Sequence, residues 1–269
     1  MTAAVRALPD HPALLPLRPL LDQTFRGPWP DLAQWNLLAR AQALTNLMGL
    51  PIIFVPPSLP PGSALDFEHR IYSRGEIETR PECWHDAFHA LTWLTFPRAK
   101  ARINALHVAD GLADSPNRRS VLRNVLTLID EGGLLVAVTS SEQERLLRGF
   151  AWHALFWDRR DQVRQTMDFV IFGHALNERA LDMPHGITGR GVLIEVAPGY
   201  FNLDMAGRVA HLDARLCAIL DDHATLTAQD FLQPVPLKGI PGWATENLDE
   251  TYYTDTSQFC TGRRGALAC

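Results

Sequence analysis

VLTLIDEGGLLVAV, residues 125–138, is the stretch on which the fold class turns. Two short apolar runs, VLTLI and LLVAV, flank Asp130, Glu131, Gly132 and Gly133. Acidic side chains that bond their own backbone, followed by glycines able to reach positive φ, are the composition of a tight hairpin turn. The pattern predicts a β-hairpin rather than one long helix. It makes Asp130 and Glu131 turn residues rather than a catalytic carboxylate pair.

Downstream, the patterning predicts a helix at about 141–156, a strand DFVIF at 168–172, a helix from Gly173 to Leu181, a strand at 191–197 and a helix at 213–220. Upstream, Leu32, Trp35, Leu38, Ala39, Ala43 and Leu47 recur mostly at three- and four-residue steps behind Asp31, which predicts a helix over 31–47. IIFV at 52–55 reads as a short strand, and the following PPSLPPG as a linker that stops strand pairing. A polar helix is expected at 66–74. Residues 83–109 read as two helices broken at Phe96 and Pro97, because a residue before proline avoids helical backbone.

The expectation is a single α+β domain over 1–269: a mostly helical body whose central helical hairpin packs on a small mixed or antiparallel sheet. Residues 1–50 form an N-terminal helical arm, and the Pro- and Gly-containing stretch after 220 forms an extended C-terminal wrap.

Composition narrows the function. A chain of 269 residues, 46% hydrophobic and 20% charged, can bury a large core and is not disordered. A net charge of −5 argues against general attraction to nucleic acid or anionic membranes. The longest apolar runs fall far below the roughly 18 residues that a spanning helix needs. The first ten residues carry one basic group, Arg6, and prolines soon follow, so no secretory signal is expected and the cytoplasm is the predicted location. Cys83, Cys217, Cys260 and Cys269 never form CxxC and read as free thiols. Arg118, Arg119 and Arg123, then Arg159, Arg160 and Arg164, read as solvated helix faces, since no nucleic-acid motif accompanies them. P-loop, GxGxxG and GxSxG patterns are absent.

The densest polar cluster lies in WHDAFHALTWLTFPRAK at 84–100. His85 and His89 stand four apart and share one helix face, a spacing that suits two imidazoles on one metal. HDAFH resembles the HExxH of zinc proteases, but Asp86 replaces the general-base Glu with a shorter arm. The alternative is a pair of structural histidines bonded to backbone. Lys100, Asn104 and His107 at i, i+4 and i+7 present an ammonium, an amide and an imidazole on the next helix, or else a solvated face. In GHALNE at 173–178, His174 and Glu178 follow a strand end. They are a candidate ligand pair, or a base with its orienting partner, at a helix start suited to an anion.

TRPECWHDAFHALTWLTFPRAKARINALH, then LTLIDEGG, GHALNE, and PVPLKGIPGW with YYTDTSQF, in that order, resemble the bacterial family called domain of unknown function 3025. The resemblance covers roughly 66–264 and implies boundaries and motif positions, with no substrate, cofactor or reaction attached. In the family pattern WHD is followed after two residues by Asn-Ala-Leu, so His89 departs from it. Arg80, Trp84, His85, Asp86, Lys100, Asn104, Asp130, Glu131, His174, Glu178, Pro241, Gly242, Trp243 and Asp255 follow it.

Two functions are carried forward. The first is a hydrolase-like enzyme in which His85 with Asp86, and His174 with Glu178, converge as catalytic groups on one cleft. Arg80, Lys100 and Asn104 would then bind an anionic substrate. A divalent metal is the candidate cofactor, with His85, His174 and Glu178 as candidate ligands. The second is a non-catalytic binding or accessory protein whose polar cluster is structural and whose Trp243 segment docks a protein partner.

Overall fold

The computed structural model describes residues 8–60, 62–113 and 120–262. The N-terminal part is helical: α1 (Arg18–Thr24) and α2 (Leu32–Ala41), the latter opened by a capping box between Asp31 and Gln34. The helix predicted over 31–47 stops at Ala41, since Ala43 adopts φ +48° and turns the chain toward a bridge between Thr45 and Pro51. Strand β1 (Ile53–Val55), helix α3 (Ala64–Arg74) and strand β2 (Glu76–Glu78) follow, with β1 and β2 parallel. Gly75 ends α3 at φ +71°, and a Cβ there would stand 2.1 Å from the Pro51 carbonyl oxygen.

The break at Phe96 separates α4 (Trp84–Thr95) from α5 (Pro97–Ala113), as Pro97 predicts. Helix α5 packs against α3, and α4 is buried over most of its length.

Next come α6 (Val121–Gly132) and β3 (Gly133–Val138), which correct the hairpin expectation. VLTLI is helical. Leu122, Val125, Leu126 and Ile129 recur at three- and four-residue steps and face one core, while Ser120 caps the helix by accepting from the Arg123 N–H at 3.0 Å. Gly133 has φ −64°, so it is not a turn glycine. It is needed because a Cβ would lie 2.4 Å from the Ile129 carbonyl oxygen.

The helix expected at 141–156 breaks after α7 (Ser141–Arg148), where Phe150 takes φ +54°, and a π-helical turn at His153–Trp157 leads into α8 (Arg160–Thr166). The chain continues through β4 (Asp168–Ile171), α9 (His174–Ala180), β5 (Thr188–Glu195), α10 (Met205–Leu220), α11 (His223–Leu226) and β6 (Gln233–Pro236). Four strands make a mixed sheet in the order β4-β3-β5-β6, with β3 parallel to β5 and the two outer pairs antiparallel. The class is α+β, as expected.

Every residue of β3 is buried. Leu134, Val136 and Val138 enter a core with Trp152, Phe156 and Phe169, while Leu135 and Ala137 enter one with Ile129, Val192 and Leu212. A strand covered on both faces reads as a continuous apolar run, which is why its alternation is invisible in sequence. A third core joins α1, α2, β1, β2 and α4 around Trp35, Phe54 and Trp93.

The C-terminal wrap closes on the body. Trp243 is 8% exposed, its carbonyl oxygen accepts from His11 Nε2 at 2.6 Å, and its ring packs edge-on against that imidazole. This removes the exposed aromatic anchor on which docking through the Trp243 segment was expected to rest. Among the described residues no helix is long and apolar enough to cross a membrane. Cys83, Cys217 and Cys260 are free thiols, while Arg6, Arg118, Arg119 and Cys269 lie outside the described residues.

Candidate functional site

A glycine joint assembles the site. Gly173 ends the β4 edge and caps α9, and a Cβ on it would come within 2.5 Å of both the Glu131 carbonyl oxygen and the Gly133 nitrogen. The Phe172 and Gly173 N–H groups both donate to the Gly133 carbonyl, at 3.0 and 2.9 Å. The start of α9 is thereby pressed against the end of α6, so His174 meets Asp130 and Glu131. Helix α9 has seven residues, and its junction is a packing joint rather than the anion site that GHALNE suggested. Helix α4 packs across α9 and adds His85 and His89.

The two motifs converge. His85 Nε2 and His174 Nε2 are 3.2 Å apart, and the ring centroids of His89 and His174 are 4.8 Å apart. Each of the two linked imidazoles turns its other nitrogen to a carboxylate: His85 Nδ1 lies 3.4 Å from Glu178 Oε2, and His174 Nδ1 lies 3.7 Å from Asp130 Oδ2. Glu131 Oε2 stands 3.5 Å from His174 Nε2. His174 is 3% exposed, and its Nδ1 has no hydrogen-bond partner among the described residues.

Two sets of side-chain atoms have metal-ligand spacing, each within 4.8 Å: His85, Glu131 and His174, and His89, Asp130 and His174. His85 and His89 share a helix face as expected, yet they fall in different sets. The expected ligand Glu178 is in neither, and stands behind His85 instead.

The other expected residues divide. Both Asp86 oxygens are taken by Arg80, through its backbone N–H at 2.7 Å, Nε at 2.9 Å and Nη2 at 2.7 Å, so Asp86 does not serve His85 as a base. Both nonetheless line a cavity of about 610 Å³, together with His85, His89, Asp130, Glu131 and His174. Lys100 and Asn104 do not line it. Lys100, 3% exposed, pairs with Asp130, and Asn104 Nδ2 donates to Glu68 at 2.7 Å, so each reaches the cavity only through a carboxylate. His107 does line it.

Electrostatics follow from burial. Burial lowers the His174 pKa to about 4 and drives His89 well below the usual histidine range, with Lys100 adding to both shifts. Burial alone would raise Asp130, but Lys100, His174 and His89 hold it well below the ordinary carboxylate range. Burial, with the Asp130 charge nearby, raises Glu131. Glu68 is pushed up to about 7, chiefly by burial and against the Asn104 hydrogen bond.

Sequence reasoning set aside two central residues, Asp130 and Glu131, as turn formers, and it missed Glu68. The signal for the first pair was present: the amphipathic period of α6 places them in its last turn.

No curated protein and no solved structure matches this chain. A family described as protein of unknown function (DUF3025) matches residues 52–263, starting earlier than the motifs suggested and taking in β1 and the segment before α3. With that match over most of its length, the chain belongs to the DUF3025 family.

Proposed function

We propose that this chain is a hydrolase in which His85, His174 and Glu131 hold one divalent cation at the cavity wall. The observation that carries this is the 3.2 Å between His85 Nε2 and His174 Nε2, with each Nδ1 turned to a carboxylate. Glu178 beside His85 Nδ1 favours the proton there and leaves His85 Nε2 as a bare lone pair. That lone pair faces His174 Nε2 at 3.2 Å, so a positive centre, a cation or a shared proton, belongs between the two nitrogens. Nitrogens bound at 2.0–2.1 Å to a tetrahedral ion stand about 3.3 Å apart. The Glu131 oxygen, 3.5 Å from His174 Nε2, extends the same triangle.

A divalent cation with three protein ligands supplies a Lewis acid that polarises a carbonyl and acidifies water. Glu178 and Asp130 orient the two rings, a role such outer carboxylates fill at histidine metal sites. Lys100 balances Asp130, which leaves Glu131 as the anionic ligand without an arginine or lysine partner among the described residues. The Phe67 ring, 5.8 Å from His89, makes one side of the cluster apolar. Free, widely spaced cysteines and the family resemblance support a bacterial, cytoplasmic setting.

A second reading is a non-catalytic protein in which a proton, not a metal, sits between the rings. The burial of Lys100 and His174, 3% exposed each, favours it. Dialysis against zinc followed by elemental analysis separates the two. The hydrolase reading expects one ion per chain in the wild type and none in folded His85→Ala, His174→Ala or Glu131→Gln. A folded wild type that binds no metal overturns it and leaves the protonated network.

A further inference from the structure

The cavity's charges are already matched, and this bears on what enters it. Arg80 is held by Asp86, Arg70 by Glu76 and Glu78, and Lys100 by Asp130. Arg123 acts electrostatically on Glu68. Arg80, Arg70 and Lys100 therefore each have a carboxylate of their own, and Glu131 and Glu178 add negative charge beside His174 and His85. An anionic substrate would have to break one of these pairs to gain a counter-charge, which costs the desolvated partner.

The segment before and at the start of α3 lines the same cavity with apolar groups: Pro57, Leu59, Ala64 and Phe67. Leu59 is 91% exposed, the most exposed of the large hydrophobic residues described, and it stands on the lining. Phe67 runs this apolar surface up to His89, whose ring meets His174. A cavity of about 610 Å³ is within the range for small-molecule sites.

We infer that the site takes an uncharged acyl compound, an amide or ester whose carbonyl lies at the His85–His174–Glu131 cluster and whose hydrocarbon part lies on Leu59, Ala64 and Phe67. This rests on the hydrolase reading above and replaces the anionic substrate expected from Arg80 and Lys100. In the reaction, the oxygen of water bonds to the carbonyl carbon and the bond from that carbon to the leaving nitrogen or oxygen breaks. One water hydrogen goes to the leaving atom, and the other stays with the acid formed.

The test is calorimetric binding of hydroxamic acids, which enter as neutral acyl compounds and give up the N–OH proton on chelating a metal, to the zinc-loaded full chain. Octanohydroxamate is expected to bind about 60-fold more tightly than acetohydroxamate, equivalent to about three buried methylenes at roughly fourfold each. Leu59→Ser and Ala64→Glu, both at exposed positions, are expected to erase most of that gain while leaving acetohydroxamate unchanged. Equal affinity for the two hydroxamates overturns the proposal. So does tighter binding of suberic acid monohydroxamate, whose far end is a carboxylate, since that marks an anion subsite. Zinc content measured on the same sample separates these failures from failure of the metal site: chain-length independence with zinc bound refutes the acyl proposal alone, whereas absence of zinc refutes both.

Discussion

Trp243 and His85 stood side by side as candidates, and the fold treats them in opposite ways. In the wrap, His11 closes on Trp243, Asn247 Nδ2 donates to the Lys238 and Ile240 carbonyls, and the Tyr253 hydroxyl donates to the Gly239 carbonyl at 2.9 Å. Side chains there bind the backbone of other segments and fasten the chain to itself. Around the cavity wall, two imidazoles meet nitrogen to nitrogen at 3.2 Å and carboxylates gather about them at 3.4 to 3.7 Å. A polar group satisfied by backbone has finished its task within the fold. Like groups held close without such bonds have capacity left for something outside the chain.

The largest effect that would sharpen this contrast is expected at Lys100, which stands behind the cavity wall in an ion pair with Asp130. Lys100→Met leaves Asp130 as a buried, uncompensated charge and should lose about 3–5 kcal/mol in urea unfolding. Zinc should restore part of that loss, and an unchanged deficit with zinc present would separate the ion pair from the cluster. Trp243→Ala tests the other region: a loss of about 3 kcal/mol with metal content untouched is expected. A Trp243→Ala chain that folds but no longer binds zinc would break the contrast.

Glu178→Gln probes the outer carboxylate behind His85. It should weaken zinc binding by about 10- to 100-fold, the usual effect of losing such a partner, with little change in unfolding of the metal-free protein. Loss of all zinc would instead make Glu178 a direct ligand. A pH effect concerns Glu68, pushed up to about 7 by burial from its ordinary 4.5. Between these values the folded chain keeps a proton that the unfolded chain has lost, so stability falls as pH rises from 4.5 to 7. Glu68→Gln should flatten that fall, on the order of 3 kcal/mol for a pKa moved from 4.5 to about 7. An identical pH slope in the variant would show that Glu68 is ionised and solvated.

Much of the fold was legible from local chemistry. Pro97 set the break between α4 and α5, Asp31 set the start of α2, and the DFVIF run was β4. The hairpin failed because DEGG has two physical meanings. A glycine can be present for positive φ or for lack of a Cβ, and only the approach of Ile129 to Gly133 shows that the second applies. Strand β6 was hidden by Pro234 and Pro236, which are tolerated because β6 lies on the sheet edge, and β2 by its three-residue length.

The site was legible in parts. Four-residue spacing put His85 and His89 on one face, and GHALNE supplied His174 and Glu178. Spacing says nothing about which carboxylate meets which ring: Asp86 went to Arg80, and Glu178 took its place beside His85. Those pairings depend on how α4 crosses α9, a long-range fact with no local signature.

The shared Gly133 carbonyl has a consequence for ion choice. It ties the start of α9 to a strand buried at every position, so the backbone separation of His174 and Glu131 is set by the least compliant part of the molecule. The amides of Phe172 and Gly173 should accordingly exchange with deuterium only when the sheet itself opens. A backbone gauge of this kind resists widening for a large cation such as calcium, so discrimination among metals would come from the sheet's resistance to stretching as well as from ligand chemistry.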